Sequence, residues 1–442
     1  MTQTHSTSPG STPTGPLNAL TAPSAVGDLL HDSYDVAVVG AGPGGCAAAS
    51  ILARGGAKVV LLERNERPSF KIGESLMPET FWTFEKMGAL DRMRSAGFVE
   101  KHSVQFFAKS GKASAPFYFD SVNDHESART WQVHRADFDQ LLMDNAQEQG
   151  AEVHRGISVR SIAVEAEPRS LKLRDKQGDE RVITARVVVD ATGQGTFVAK
   201  QQKTEQTDYG LRHASIFTHF RGAIRDAGKD EGATIILHTN EGNSWFWYIP
   251  LANDTVSVGV VGGLEYLITG RDSKPEETFF DEVEKCPEIA RRIRDADQCR
   301  PMQVIKDFSY SHPEVAGDGW VLVGDAFSFI DPVYSSGVFL ALKSGEMAAE
   351  AILDGLESGD LSARQLGRFE PELRQGMKAV LGLVRSFYAP DFSFGGFLRR
   401  YPEHQEDVTK ILIGDVFNQD FSSFFQHVEE YQRDGADLQA AS

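Results

Sequence analysis

The segment Gly40-Ala41-Gly42-Pro43-Gly44-Gly45 constrains this chain more than any other, because of what flanks it. Before it runs Tyr34-Asp35-Val36-Ala37-Val38-Val39, a short apolar run of the kind that forms a parallel strand buried on both faces. After it comes Cys46-Ala47-Ala48-Ala49-Ser50-Ile51-Leu52-Ala53-Arg54, a stretch of small residues suited to a closely packed helix. Gly-x-Gly-x-x-Gly between strand and helix predicts a tight turn at Gly40. It also predicts a backbone open to a pyrophosphate at Gly42 and close helix–strand packing at Gly45. The helix start then offers amide donors and the positive end of its dipole to phosphates. A second apolar run, Lys58-Val59-Val60-Leu61-Leu62, ends in Glu63-Arg64. An acid about 20 residues past the glycines is where ribose hydroxyls are held. These features together predict an α/β domain built around a dinucleotide.

At 442 residues the chain exceeds one small core. Two packed lobes, or one large α/β unit with an inserted sheet, are the natural expectations. A formal net charge of −18 argues against nucleic acid as a partner, since phosphate backbones require a basic surface. Cys46, Cys286 and Cys299 are too few and too scattered for a disulfide framework or a metal cage, so no metal site is expected. A reducing, cytoplasmic setting fits them best. Residues 1–32, rich in Ser, Thr, Pro and Gly, read as a disordered tail. They lack the basic start and apolar centre of a signal peptide. No apolar run approaches the roughly 20 residues that span a bilayer.

Further along, Trp245-Phe246-Trp247-Tyr248-Ile249-Pro250 holds two of the five tryptophans, and Thr255-Val256-Ser257-Val258-Gly259-Val260-Val261 follows. Both read as strands. Residues two apart on a strand share a face, so Trp245 and Trp247 would form one indole wall. The spacing supports only the shared face, which serves equally as core or as a shield. The stretch 205–300 is rich in such runs, including Ala214–Phe220 and Thr234–His238, and predicts an antiparallel sheet. Near the end, Val321-Leu322-Val323-Gly324-Asp325-Ala326 is another buried strand. It is followed by Phe329-Ile330-Asp331-Pro332 and a helix opening near Ser335-Ser336-Gly337. Residues after about 360 read as helical and aromatic. They would either cover a cavity or form a helical unit with its own core.

In order from Tyr34 to Tyr388, these segments resemble the flavin-dependent halogenases, and within them the branch acting on phenols and pyrroles. The glycine loop and the late Gly324-Asp325 resemble the two flavin motifs of the wider FAD monooxygenase-like superfamily. Arg135, in Gln132-Val133-His134-Arg135-Ala136-Asp137-Phe138-Asp139, resembles its helix-start arginine, which faces the flavin phosphates. From the residues alone, Arg135 is a surface ion pair with Asp137 or Asp139. Trp245 to Pro250 fits Trp-x-Trp-x-Ile-Pro in full. Lys71-Ile72-Gly73-Glu74-Ser75-Leu76-Met77-Pro78 resembles the family's Gly-Glu-Ser segment. Gly97-Phe98-Val99-Glu100-Lys101, followed by Val104-Gln105-Phe106-Phe107, resembles the stretch carrying its active-site lysine. Asp331-Pro332-Val333-Tyr334-Ser335-Ser336-Gly337 resembles its halide loop.

The resemblance implies an FAD-binding Rossmann-like fold of the aromatic hydroxylase type. The FAD domain would take residues 33–204 and 300–358, a substrate-side antiparallel sheet 205–299, and a helical region 359–442. It implies FAD contacts from Gly40, Ala41, Gly42, Gly44, Gly45, Glu63, Arg64, Ile72, Glu74, Arg135, Gly324, Asp325 and Pro332. Glu74 has a competing role as a loop acid bonded to backbone amides. Ser336 and Gly337 would hold chloride or bromide. Reduced FAD and oxygen would turn that halide into hypohalous acid, with Trp245 and Trp247 walling flavin from substrate. Lys101 would present the halogen to an electron-rich ring, free or tethered to a carrier protein. A lysine buried for that purpose has a depressed pKa. Without the resemblance, Lys101 is a solvated residue in a charged turn. His102-Ser103 departs from the family's small-residue turn, which leaves Lys109 and Lys112 as alternatives. Tyr334 replaces the glutamate of the tryptophan-acting branch and disfavours free tryptophan as substrate. Asp190-Ala191 replaces the Asp-Gly of the NAD(P)H-using hydroxylases, so reduced FAD would come from a separate flavin reductase. A flavin monooxygenase without halide chemistry and a non-catalytic flavin-binding protein are the competing readings.

Overall fold

The computed structural model describes residues 30–440. Of the expected disordered tail, residues 1–29 lie outside the described residues. Its last positions are held: Leu30 is buried, and Arg181 donates to the Leu30 carbonyl and to Asp32 Oδ1. Among the described residues no helix is long and apolar enough to cross a membrane.

Two large sheets organise the chain. In the first, Ser33–Val39 lies between Val59–Glu63 and Glu180–Asp190, all parallel. Trp320–Leu322 extends the sheet parallel to Glu180–Asp190, and Glu152–Arg155 extends it on the other side. The apolar runs become parallel strands because helices cover the sheet and leave no wet face. The helix Pro43–Arg54 starts directly after the glycine turn. Gly40 takes φ +104°, and a Cβ on Gly45 would stand 1.9 Å from the Gly40 carbonyl oxygen. That helix also packs backbone-close on the long helix Ser336–Ser358, where a Cβ on Gly345 would stand 2.3 Å from the Gly44 oxygen.

The second sheet is larger than the stretch 205–299. Its centre is Thr207–Arg221, Thr255–Gly263, Ser244–Leu251 and Thr234–His238 in that spatial order. Gln303–Ser311 and Ser328–Phe329 add one edge. Ser103–Phe107 pairs parallel to Thr234–His238 on the other side. The added strands come from elsewhere in the chain because an exposed sheet edge leaves backbone groups unpaired. The alternation expected of a strand is met along Ser244–Leu251. Phe246 and Tyr248 pack into a core with Phe279 and Ile289, while Trp245, Trp247 and Ile249 face the other way. Each buried ring contributes roughly 1.5–3 kcal/mol, and buried rings on both faces hold the strand.

Past residue 359 the chain is helical, with Glu370–Tyr388, Phe394–Arg400, Gln405–Ile413 and Ser422–Ala440 as its main members. It forms a helical unit with its own core. Phe397 packs against Phe424 and Tyr401 as a small core. Phe387 meets Trp245 edge-on at 5.7 Å and Phe394 stacks on Phe106 at 5.4 Å, so the helices also cover the tryptophan strand.

Candidate active site

A cavity of about 720 Å³ opens between the two sheets. Its wall includes Gly40, Gly42, Gly44, Gly45, Glu63, Arg64, Ile72, Glu74, Arg135, Gly324, Asp325, Pro332 and Gly337, together with Trp245 and Trp247. The parallel sheet supplies the glycine turn at one end, and the antiparallel sheet supplies the tryptophans at the other. Three expected residues, Lys101, Ala41 and Ser336, stand off this wall. Ala41 is buried and its amide donates to Glu63 Oε2 at 3.0 Å. Ser336 is buried at the start of its helix, beside the cavity-lining Ser335 and Gly337.

The lining fits FAD. Nothing lies within 4 Å of where a Cβ on Gly42 would stand, so the turn leaves its backbone open beside a helix N-terminus. Glu63 is already oriented: Oε2 holds the Ala41 amide and Oε1 accepts from Asn65 at 2.9 Å. Asp325 faces the cavity from deep in the molecule, and desolvation pushes its carboxyl up to about 6. Arg135 makes the expected ion pair with Asp139, but the pair is buried rather than at the surface. Its Nε and Nη2 donate to Asp139 at 3.0 and 3.1 Å, its Nη1 donates to the Ile72 carbonyl, and the guanidinium still lines the cavity. The Glu74 carboxylate is buried and lies 2.9 and 3.2 Å from His219 Nε2, so its partner is a side chain rather than backbone amides.

At the other end the indoles stand 6.3 Å apart, tilted by 56°. Trp247 Nε1 donates to Ser257 Oγ at 3.1 Å. Its ring lies over Gly259 on the next strand, where a Cβ would come within 2.2 Å of it. Trp245 Nε1 donates to the Tyr388 hydroxyl at 3.1 Å. That hydroxyl donates in turn to the Asp331 carboxylate, at 3.1 and 3.2 Å from its oxygens. The loop after Asp331 is turned sharply: Val333 donates its amide to Asp331 Oδ1, and Ser335 takes φ +60° ahead of the helix at Ser336.

Lys101 is 3 % exposed, on a short strand paired with Thr130–Gln132. Its Nζ donates to Ser75 Oγ at 2.9 Å and to the Leu76 carbonyl at 3.0 Å. Both acceptors are neutral, and desolvation lowers the lysine pKa to about 7. The solvated-turn reading of Lys101 is therefore excluded. Neighbouring Glu100 pairs instead with Arg129 and His102.

The family profile described as FAD binding domain matches residues 33–380. A 1H-pyrrole-2-carbonyl-[peptidyl-carrier protein] brominase from Pseudoalteromonas luteoviolacea is 30% identical over 91% of this chain and 98% of its own length. A flavin-dependent halogenase, gsfI, from Penicillium aethiopicum is 32% identical over 80% of this chain and 71% of its own. The chain belongs to the flavin-dependent halogenases. The solved structure of the flavin-dependent brominase Bmp2 superposes with a TM-score of 0.80 at 28% identity, over 91% of this chain and all of that one.

The halogenase carries contacts that its sequence did not announce. Asp331 is buried between His213 Nδ1 at 3.0 Å and the Tyr388 hydroxyl, and the His213 ring stacks on Tyr388 at 4.1 Å. Thr234 lines the cavity 2.8 Å from Ser75. Asp331 and Ser75 sit inside motifs whose neighbours drew the attention. His213 and Thr234 lie more than a hundred residues from Asp331 and Ser75, Tyr388 lies 57 from Asp331, and no local pattern marks them. Tyr334 is buried against Phe106 and Phe387, where desolvation holds its phenol well above the ordinary value.

Proposed function

We propose that this halogenase places chlorine or bromine on an electron-rich aromatic ring of the pyrrole or phenol type. The observation that carries the reading is Lys101, a buried amine without a carboxylate partner among the described residues, near neutrality in its pKa. Reduced FAD held in the cavity supplies, with oxygen and halide, hypohalous acid. The glycine turn, Glu63, Arg64, Ile72, Glu74, Arg135, Gly324, Asp325 and Pro332 hold the cofactor. The loop ending at Ser336 and Gly337 offers backbone amides at a helix start for the halide; Gly337 leaves the space beside it open. Trp245 and Trp247 keep the oxidant side apart from the aromatic compartment. Lys101 orients hypohalous acid by hydrogen bonding from its nitrogen, or its free amine takes the halogen as the oxygen–halogen bond breaks and the hydroxide leaves as water with one amine proton.

The substrate ring is most readily a carrier-tethered pyrrole, because the similarity to the carrier-dependent brominase runs almost the full length of both chains. Phe106, Tyr334 and Phe387 form an aromatic cluster beside Trp245, chemistry that suits a flat, uncharged ring. Reduced FAD comes from a separate flavin reductase, a reading supported by Asp190-Ala191. Three free cysteines, two of them buried, suit a reducing compartment such as the cytoplasm.

The test supplies a separate reductase, oxygen, and chloride or bromide, with a panel of pyrroles and phenols offered free and as carrier thioesters. Halogenated mass on at least one ring is expected. Products bearing only oxygen across the panel would overturn the reading in favour of a monooxygenase.

A further inference from the structure

Two hydroxyls stand between the cavity and Lys101. Ser75 and Thr234 both line the cavity, whereas Lys101 lies behind them. Ser75 Oγ accepts from Lys101 Nζ at 2.9 Å and lies 2.8 Å from Thr234 Oγ1. Gln132 Nε2 donates to Thr234 Oγ1 at 2.9 Å and to the Gly232 carbonyl at 2.8 Å. The Gly232 carbonyl can only accept, so it fixes which end of the Gln132 amide faces Thr234. All four side chains are buried.

The protons can be counted. A hydroxyl carries one proton and two acceptor sites. Lys101 donates into Ser75, and Gln132 donates into Thr234. The contact between the two hydroxyls consumes one hydroxyl proton. The other has no acceptor in the protein among the described hydrogen bonds, and both residues that could carry it line the cavity. On the lysine side, two acceptors, Ser75 Oγ and the Leu76 carbonyl, match the two N–H groups of a neutral amine and leave its lone pair unclaimed.

We propose that Ser75 and Thr234 form the gate by which hypohalous acid leaves the cavity for Lys101. The spare hydroxyl proton holds the oxygen of the arriving acid, and Ser75 aims the amine at its halogen. Both are positioning residues, and the inference rests on the reading of Lys101 given above. The gate stands in a part of the wall whose neighbouring members Ile236, Trp245, Trp247 and Ile249 are apolar.

The test separates hydroxyl from shape. Thr234→Val keeps the shape and loses the hydroxyl, and Thr234→Ser does the reverse; Ser75→Ala and Ser75→Thr make the matching pair. The measurement is halogenated substrate per oxygen consumed, with a 1,3-diketone in solution to capture escaping hypohalous acid. Thr234→Val and Ser75→Ala are expected to lower that ratio about fivefold, the factor one hydrogen bond carries. Halogenated diketone should rise to match, and Thr234→Ser and Ser75→Thr should restore the ratio. An unchanged ratio in Thr234→Val and Ser75→Ala, or an equal loss in all four variants, would overturn the gate. Lys101→Ala in the same assay tests the underlying reading: retained halogenation there removes the lysine itself. A readout without flavin completes the set. The pH midpoint for reductive methylation of Lys101 should fall in Ser75→Ala, since the ammonium loses an acceptor, and an unmoved midpoint would separate Ser75 from the lysine.

Discussion

The phosphate cradle and the lysine niche each bury a cation, and they treat it in opposite ways. Arg135 is gripped by Asp139 through two parallel hydrogen bonds and by the Ile72 carbonyl. Among the described residues Lys101 has only the Ser75 hydroxyl, the Leu76 carbonyl and the face of Phe119 at 5.4 Å. A planar guanidinium with a bidentate carboxylate keeps its charge and its orientation. An ammonium buried among neutral partners pays a desolvation penalty that nothing offsets, so it sheds its proton near neutrality. The first arrangement suits a fixed electrostatic contact with a cofactor. The second suits a group whose lone pair takes part in chemistry.

Variants that disable one region and spare the other sharpen the contrast. Gly45→Val should have the largest effect, because its Cβ meets the Gly40 carbonyl oxygen inside the turn. Purified protein should lose FAD, read by flavin absorbance, while the titration midpoint of Lys101 stays near 7; a shifted midpoint would show that the regions are coupled. Lys101→Met should abolish halogenation, a loss on the order of 10²–10⁴ for a positioned proton-transfer or nucleophilic group, yet retain FAD.

The same substitution has a stability signature. Because the folded pKa of Lys101 lies below its unfolded value, the unfolded chain binds the extra proton between about pH 7 and the ordinary lysine pKa. The lysine therefore makes the native chain gain stability as pH rises through that window, and its penalty is full below it. Lys101→Met should be the more stable protein at pH 6, with that difference shrinking toward pH 10 in denaturant titrations. Equal stability at pH 6 and 10, relative to the parent, would mean that the lysine is not desolvated.

Trp247→Ala should cost about 3–5 kcal/mol through the space it leaves. It should also raise peroxide release or oxygenated product; an unchanged product ratio would count against a partition. Tyr388→Phe should do least, about 1 kcal/mol for the lost hydroxyl contacts, with a small rise in the same leakage.

The cradle was legible because its physics is local. Gly40, Gly42, Gly45 and Glu63 act within one strand–turn–helix–strand unit, and the Arg135–Asp139 pair is one helical turn apart. The alternation that puts Trp245 and Trp247 on one face is local as well. The niche is not. Lys101 reaches Ser75 across 26 positions, Ser75 reaches Thr234 across 159, and Trp245 reaches Tyr388 across 143. No periodicity carries such distances, and burial of a lysine runs against its composition-based expectation. For the same reason the second sheet exceeded residues 205–299: edge strands are recruited by unpaired backbone, wherever the chain can deliver them.

The hydroxyl shared by Trp245 and Asp331 belongs to a part of the chain beyond the common flavin scaffold. The FAD-binding-domain match ends at residue 380, before Tyr388. The tryptophan strand is thus tied to the end of a helix that begins inside the match and runs past it. A chimera that transplants the scaffold alone would carry both tryptophans but leave one of them unfastened, so the usable unit of exchange extends through the helix Glu370–Tyr388.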